Sequence, residues 1–375
     1  MPLIIYKGDK MKRLDVFKKL GIAVGLTLSF ATTTSVFAKD KITFKFDSYI
    51  SETAGPSRVD NWFLTELEKR TEGAVEVRRF WSSSLTKVGE HLSAVSDGTS
   101  ETALISPGYY QADLPVTRGL EWYFRMNRPD ALQLVSQDVY DHFEPLKNEW
   151  EKRHKAKVLY WTTWNYAPLI SKTPINTIDE IKGKRFRGYG VANDVLKRLG
   201  GNPVPMAAPE VYTALERGVL DGVYGFDFIT AIAYKLHEIA PHFTDIGDGP
   251  HAPAAMVMNI DFYNKLPDSV KQTIDELVDE LYSGKYAELM NDYMEEYVKL
   301  ALDEGVKFNV FSPEEKAKAK ELVQPAQVNA WKDTVAKSAK IDGEQMQELI
   351  DKAIAKYDSQ GKVLRPSEIA SQLSK

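Results

Sequence analysis

The sequence predicts an α/β protein with two domains and a long helix that reaches across both. The chain has 375 residues, of which 43% are hydrophobic, and this length exceeds what a single core usually serves. Strand-like and helix-like segments alternate through most of it, which is typical of parallel sheets with helices on their faces. A helical pattern then continues over residues 267–305, and at about 1.5 Å per residue such a helix spans two domains.

Residues 1–38 predict a cleaved secretory signal. Basic residues follow Met11, an apolar run covers residues 20–30, and small residues lead to Ala38, which is the usual order in a signal peptide. The apolar run is shorter than the ~20 residues that a membrane-spanning helix needs. Without this segment the formal net charge changes from -5 to -9. We therefore expect an exported acidic protein, and its charge argues against nucleic acid as a partner.

The first half of the chain repeats the order strand, helix, strand, helix. Residues 41–50 alternate apolar and polar side chains, and after Pro56 the apolar positions are spaced as in a helix. The predicted elements are a strand at 41–50, a helix from 56, a strand at 73–80, a helix at 87–98 that Gly98 ends, and a strand at 101–110.

The second half resumes the rhythm and then changes to helices. Gly200 ends one helix, Pro209 opens the next, and the long helical stretch is weakened only near Ser283 and Gly284. The predicted elements are strands at 157–164, 183–190, 223–226, 254–260 and 306–311, helices at 191–200, 209–222 and 267–305, and amphipathic helix towards the C-terminus.

The sequence gives little support to catalysis. It contains no cysteine, which excludes a cysteine nucleophile. It also contains neither the G-x-S-x-G elbow of serine hydrolases nor the G-x-x-x-x-G-K-[ST] loop that binds nucleotide phosphates. His237 and His242 are five residues apart with Pro241 between them, whereas a zinc-binding helix places its histidines at i and i+4. We therefore expect no catalytic residue, cofactor or metal. A secreted α/β enzyme acting on an organic acid stays the alternative.

Arg185 and Arg187 stand two residues apart on a predicted strand, so both belong to one strand face. Glycines at 183, 188 and 190 let the backbone turn tightly and a ligand approach closely. A planar guanidinium matches a carboxylate through two hydrogen bonds, a geometry that lysine cannot copy. The pair is either part of an anion-binding site or an exposed strand face, and both interpretations stay open at this point.

Aromatic residues cluster near the carboxyl ends of three predicted strands. Ligands bind at this edge in open α/β sheets, which favours a binding pocket there. Core packing is the competing interpretation of each cluster taken singly. The clusters are Tyr109 and Tyr110; Trp161, Trp164 and Tyr166; and Tyr224, Phe226 and Phe228.

Four stretches resemble the extracytoplasmic solute-binding proteins of TRAP transporters, the DctP-like family, and the resemblance covers nearly all of the chain after the signal. Residues 63–81 are similar to the family's first helix and strand, with Glu72 where glycine is usual, and residues 90–110 to its next helix and strand. Residues 173–190 resemble the stretch with the pattern K-G-x-K-x-R, with Arg185 in the place of the second lysine. Residues 200–222 carry P-x-P-M followed by E-V-Y-x-A-L-x-x-G-x-x-D-G, the most specific signal.

The resemblance implies a two-lobed periplasmic binding protein fold that closes on a ligand, and delivery of an organic acid to TRAP permease subunits in the membrane. A membrane sensor in place of the permease is a further alternative. The K-G-x-K-x-R pattern assigns the carboxylate-binding role to Arg187, while Arg185 is expected to pair with surface acids. The expected lobes are 39–163 with 254–291, and 164–253 with 292–375.

Some family members carry a second basic residue a few positions before the S-K-T-P-I stretch, and residues 162–170 contain none here. We therefore expect a monocarboxylate with an apolar or aromatic body, not a dicarboxylate or sialic acid. A sulfonate can use the same arginine, and an ectoine- or betaine-type zwitterion can add Asp227 or Glu210 as countercharge. The expected ligand-binding residues are Arg187, Tyr109, Tyr110, Trp161, Trp164, Asn165, Met206, Glu210, Phe226, Asp227 and Phe228.

Overall fold

The computed structural model describes residues 41–250 and 252–374, so the predicted signal segment lies outside the described residues. The strands are β1 (Ile42–Asp47), β2 (Val75–Phe80), β3 (Thr102–Ile105), β4 (Ala156–Thr163), β5 (Leu169–Ser171), β6 (Arg185–Gly188), β7 (Asn202–Pro205), β8 (Gly222–Val223), β9 (His242–Asp245), β10 (Pro253–Asn259) and β11 (Lys307–Val310). The α-helices are α1 (Gly55–Arg70), α2 (His91–Asp97), α3 (Pro129–His142), α4 (Glu144–Asn148), α5 (Ala192–Arg198), α6 (Val211–Glu216), α7 (Phe228–Ala233), α8 (Ile260–Lys265), α9 (Asp268–Glu280), α10 (Tyr286–Asp303), α11 (Pro313–Ser338), α12 (Gly343–Tyr357) and α13 (Pro366–Leu373).

The strands form two sheets with helices packed around them, which confirms the predicted two-lobed α/β fold. Sheet I has five strands in the order β2-β1-β3-β10-β4, and sheet II has six in the order β11-β9-β5-β8-β6-β7. We call the elements around sheet I the first lobe and those around sheet II the second lobe. Strand β3 is covered on both faces and all its side chains are buried, whereas β1 buries Phe44 and Phe46 on one face and leaves Thr43 exposed on the other.

Neither sheet is purely parallel, which corrects the prediction from the strand–helix rhythm. In sheet I, β10 runs antiparallel to β3 and β4, while β1 pairs in parallel with β2 and β3. In sheet II, β5 runs antiparallel to β8 and β9, while β6 pairs in parallel with β7 and β8. β5 and β10 directly follow the two extended segments that carry the chain from one lobe to the other, whereas β11 returns through the long helices and pairs in parallel with β9. β5 and β10 therefore each enter their new sheet from the opposite end.

Two extended segments carry the chain between the lobes and lie side by side. The Trp164 backbone N–H donates to the Ala252 carbonyl at 3.2 Å, and Tyr166 pairs with Pro250 in an antiparallel bridge. Helix α12 packs against α3 of the first lobe, whereas the expected division assigns residues 292–375 to the second. The expected boundaries concern which parts move together, and they stay a prediction.

The long helical stretch is two helices joined by a kink. α9 is followed by a wider helical turn at Leu281–Lys285, and α10 begins at Tyr286. Within this turn Gly284 has φ 144°, so the helix bends at the position where the sequence pattern is weakest. α10 contacts α1 in the first lobe and α7 in the second, which confirms that the helix crosses both lobes. In the described part of the chain, no helix is both long and apolar enough to cross a membrane.

The largest apolar core continues from one lobe into the other. It includes Phe46 of β1, Met290 of α10 and Phe243 of β9. A second core surrounds Trp150 and Trp161 in the first lobe. Because the shared core joins the lobes on one side, the loops that follow β1, β3, β6 and β8 meet on another side, and these loops form the candidate site.

Candidate functional site

Strand β6 gives its two arginines different environments. Arg185 lies at the start of the strand, where its Nη2 is 3.0 Å from Oδ1 of Asp221, and its side chain is half exposed. Arg187 lies two residues further along, between β7 and β8, and is only 1% exposed. Although both arginines lie on the same strand, Arg185 forms a surface ion pair and Arg187 is a buried cation.

The Arg187 guanidinium is held by backbone carbonyls and aromatic rings. Its Nε donates to the carbonyl of Met206 at 3.1 Å and its Nη1 to that of Gly225 at 2.8 Å. Its central carbon lies 4.9 Å from the ring centre of Tyr189 and 4.7 Å from that of Phe226. These contacts hold the guanidinium in place, because both rings lie against it and the carbonyls accept from Nε and Nη1.

Arg187 also lines a small cavity, and Nη2 is its nitrogen without a carbonyl partner. Nη2 lies 3.3 Å from the hydroxyl of Tyr109, a residue of the first lobe. No carboxylate among the described residues lies within ion-pair distance of this guanidinium. A buried charge is costly unless it is paired. The geometry therefore offers a fixed, desolvated cation to an anion that enters between the lobes.

The cavity encloses about 10 Å³, room for roughly one water molecule, and is lined by both lobes. This is far below the ~300–1,000 Å³ of ligand pockets, so a ligand needs the lobes to stand further apart than they do here. The first lobe contributes Tyr49 and Tyr109, the crossing segment contributes Trp164, and the second lobe contributes Arg187, Tyr189 and Phe226. Four of the expected site residues are thus brought together around one cation and several aromatic rings.

A wider groove of about 790 Å³ opens beside the cavity and shares Tyr109 and Tyr189 with it. Two further expected residues, Met206 and Glu210, line this groove and not the cavity. At its floor the lobes touch, because Gly108 of the first lobe lies against Gly190 of the second.

Two expected polar residues, Asp227 and Asn165, are buried and do not line the cavity, and Oδ2 of Asp227 has no hydrogen-bond partner among the described residues. Asp227 caps α7 by accepting from the backbone N–H of Thr230 at 3.1 Å, and burial raises its pKa to about 7. The Asn165 side-chain oxygen accepts from the hydroxyl of Tyr286 at 2.8 Å. The countercharge that a zwitterionic ligand needs is therefore not assembled inside the cavity.

The structure does not bring three expected aromatic residues to the cavity. The Trp161 ring is fully buried and contacts Trp150 edge to face, with ring centres 5.9 Å apart. Tyr110 belongs to the same first-lobe core, and Phe228 packs against Phe243. Alternation along β4 explains Trp161, because a residue inside the strand faces one side of the sheet whereas Trp164 lies beyond its end.

Tyr49 and Tyr189 line the cavity but were missing from the expected set. Tyr49 lies two residues after the end of β1, and Tyr189 directly follows β6 between Gly188 and Gly190. The strand-end rule that selected the other aromatics applies to both positions. In the described part of the chain, no group of three or more acidic or histidine residues is placed to hold a metal ion.

The sequence matches the family model of the bacterial extracellular solute-binding proteins, family 7 (DctP), over residues 57–334. The protein YiiZ of Salmonella typhimurium, described as uncharacterized, is 28% identical to this chain over 233 residues. The match covers 58% of this chain and 66% of that protein, just under two thirds of its length. The C4-dicarboxylate-binding periplasmic protein DctP of Rhodobacter capsulatus is 26% identical over 313 residues, 82% of this chain and 91% of that protein.

A solved structure shares the fold. A TRAP solute-binding protein from a marine metagenome, specific for aromatic acid ligands, superposes with a TM-score of 0.75 at 23% identity, over 85% of this chain and 100% of that chain. The family model covers well over half of the present chain, including sheet II with the arginine strand and every strand of sheet I except β1. By that match, this chain belongs to the family 7 bacterial extracellular solute-binding proteins, the DctP family.

Proposed function

We propose that this protein captures a small monocarboxylate with an apolar or aromatic body in the periplasm and delivers it to TRAP permease subunits. The observation that carries the proposal is the buried guanidinium of Arg187, which has no acidic partner in the described chain and is covered by Tyr189 and Phe226. Members of this family are the substrate-binding components of TRAP transporters and not enzymes. Accordingly, this chain is proposed to bind its ligand without converting it chemically.

The charge of the cavity favours one carboxylate over two. Arg187 is the one cationic side chain among the described residues that line it. A dicarboxylate of the kind named for the Rhodobacter capsulatus relative would leave its second charge among aromatic rings. An uncompensated buried charge is unfavourable by several kcal/mol (about 2–5 when one partner of a pair is lost). The aromatic acids named for the metagenome protein have the single charge and flat apolar body that this cavity favours.

A ligand screen on the protein from Lys39 onwards tests the proposal. We expect monocarboxylates to raise the melting temperature more than sulfonates or betaines do. The rise should be measurable, because ligand at a hundred times Kd stabilises the native state by about 2.7 kcal/mol. Arg187→Ala should abolish that shift. Arg187→Lys keeps the charge but not the planar fork, so it should lower the affinity measured by isothermal titration calorimetry by at least about tenfold.

Arg185→Ala is the matched control, because it removes an arginine from the same strand whose partner is Asp221 on the surface. This variant should bind the acid as tightly as the native protein. A folded Arg187→Ala protein that still binds the acid would exclude Arg187 as the binding residue. Chemical conversion of the acid during the titration would instead support the enzyme alternative.

A further inference from the structure

Residues 361–374, which we call the C-terminal brace, contact both lobes. They contain α13 and lie beyond the residues that the family model matches. Helix α13 packs against α10, which crosses both lobes, and against β11 of sheet II. Three apolar side chains of the brace are buried in the core that the lobes share, namely Val363, Ile369 and Ala370. The brace is therefore anchored where the two lobes are joined.

The brace is attached to the first lobe at the start of α3. The Arg128 guanidinium donates to both carboxylate oxygens of Glu368, at 2.7 Å and 3.1 Å. Asp130 of α3 accepts from the backbone N–H groups of Lys362 and Val363, at 2.6 Å and 3.2 Å. An arginine that donates twice to one carboxylate forms a strong and strongly directional pair. This pair therefore tolerates little displacement of α3 relative to the brace.

The brace is attached to the second lobe at the end of β9. Nη1 of Arg365 donates to Oδ1 of Asp245 at 3.1 Å, and both side chains are largely buried. The backbone N–H of Arg365 also donates to Oε2 of Glu368 at 2.7 Å. Solvent screens such a partly buried pair less than an exposed one. The contacts therefore run without interruption from Arg128 in the first lobe, through the brace, to Asp245 in the second.

These contacts lie at the segments that carry the chain between the lobes. The central carbon of the Arg365 guanidinium is 4.8 Å from the ring centre of Tyr166, whose backbone pairs with Pro250 of the other crossing segment. The Tyr166 hydroxyl donates to the carbonyl of Asn127 at 2.8 Å. A rotation of the lobes about the crossing segments therefore changes the distance that the brace has to span. The residues that line the cavity at Arg187 include none of the brace.

Both ion pairs of the brace are formed in an arrangement that leaves no room for a ligand. The cavity at Arg187 encloses about 10 Å³, so the lobes have to separate before an acid can enter. Separation moves Arg128 and Asp245 relative to each other, and the two-oxygen contact of Arg128 with Glu368 cannot follow a large movement. At least one of the two ion pairs is then lengthened. The intact brace therefore favours the closed, empty arrangement.

We propose that the C-terminal brace is an autoinhibitory strap, which holds the unliganded lobes together through the pairs Arg128–Glu368 and Arg365–Asp245. It limits how often the site opens, and it does so without contacting the ligand. When only a fraction of the protein is competent to bind, the apparent affinity is reduced by that fraction. Loosening the brace therefore raises the rate of ligand association although every residue of the cavity is unchanged. The inference holds for whichever anion Arg187 binds.

Hydrogen–deuterium exchange of the unliganded protein tests the inference with Glu368→Gln and Arg365→Gln. In both variants, the backbone amides of residues 106–110 and 187–190, where the lobes meet, should exchange about threefold or more faster, because a charge-assisted pair that opposes opening is lost. Exchange within β4 and β10 should stay at the native rate, which separates lobe opening from general unfolding. Stopped-flow mixing with benzoate should show association faster by a similar factor.

Glu68→Gln and Arg79→Gln are the matched controls, because Arg79 Nη2 donates to Oε2 of Glu68 at 2.8 Å within the first lobe. Each control makes the same change of net charge as one brace variant, and both should behave as the native protein. Charge alone would alter anion association in opposite directions in the two brace variants, whereas a loosened brace accelerates it in both. Native exchange rates in both brace variants, or equal acceleration in the controls, would overturn the inference. Absence of benzoate binding in every protein would count against the monocarboxylate function, and the exchange rates would still decide the role of the brace.

Discussion

At the residue scale, environment decides what an ionisable side chain does. Arg185 and Arg187 occupy equivalent positions two apart on β6, yet one forms an exposed ion pair with Asp221 and the other is a buried cation between aromatic rings. Exposed ion pairs contribute little to stability, because solvent screens them and their side chains lose conformational entropy. We expect the buried position to have the larger effect on ligand affinity, because its charge acts away from water.

Asp60 gives a residue-scale prediction for the pH dependence of stability. Its carboxyl is fully buried and accepts from the Tyr160 hydroxyl at 2.7 Å, and burial raises its pKa from 3.8 to about 7. Between these values the folded state holds a proton that the unfolded state has released. This contribution to stability is therefore fully present below pH 3.8 and is lost as the pH rises through about 7.

We expect Asp60→Asn to reduce the pH dependence of unfolding, because the amide keeps an acceptor for Tyr160 and does not ionise. Between about pH 4 and 7, the free energy of unfolding of the native protein should fall by roughly 1.4 kcal/mol per pH unit because of Asp60. The variant should not show this fall. Urea unfolding of both proteins at pH 4.5 and pH 7.5 measures the difference. Identical slopes for the two proteins would show that Asp60 does not carry this dependence.

At the element scale, the bend between α9 and α10 depends on one glycine. Gly284 has φ 144° and ψ -12° within the wide turn, a conformation that side-chain-bearing residues rarely adopt. No atom of another residue lies within 4 Å of where a Cβ would be. Any effect of a substitution there is therefore due to backbone strain and not to a steric clash.

Gly284→Ala should lower the free energy of unfolding by about 1–3 kcal/mol, the usual cost of a disfavoured backbone conformation. Ser283→Ala is the matched neighbour, since its side chain is exposed and bonds only to the Glu280 carbonyl. We expect that control to stay within about 0.5 kcal/mol of the native value. Thermal and urea unfolding measure both. A Gly284→Ala protein as stable as the control would mean that the helix straightens without strain.

At the scale of the whole molecule, we expect function to depend on how closely the two lobes approach. The shared core and the paired crossing segments hold them on one side, and the cavity closes on the other through contacts such as Gly108 with Gly190. A Cβ added to Gly108 would lie 2.6 Å from Cε2 of Tyr189. Gly108 does not have a positive φ, so alanine there changes the lobe contact without straining the backbone.

We expect Gly108→Ala to weaken carboxylate binding by about tenfold or more while the unliganded protein keeps its melting temperature. The added methyl prevents the lobes from meeting, so Arg187 and Tyr109 no longer surround the ligand together. Calorimetry measures the affinity, and small-angle X-ray scattering with and without benzoate measures the closure. Gly201→Ala, at a glycine within the second lobe whose Cβ would lie 3.2 Å from Ile181, should bind normally. Native affinity in Gly108→Ala would show that the contact is not needed for closure.

The sequence by itself determined the fold class, the long helix with its weak point at Gly284, and the strand that carries Arg187. These features depend on local patterns, namely apolar periodicity, glycine and proline positions and the K-G-x-K-x-R motif, which act over a few residues. It did not determine that β5 and β10 run antiparallel, because strand direction in a sheet depends on where the chain re-enters after crossing between lobes.

Only the tertiary structure decided which aromatic side chains meet Arg187. Tyr49 and Trp161 both lie at or near the end of a strand, yet Tyr49 lines the cavity whereas Trp161 packs in the first-lobe core. Tyr189 makes its contacts with Gly108 and Tyr109 across the lobe boundary, between residues about eighty positions apart in the chain. Such contacts depend on how two independently patterned lobes pack together. No local pattern encodes that arrangement, because each strand end is compatible with facing either the core or the cavity.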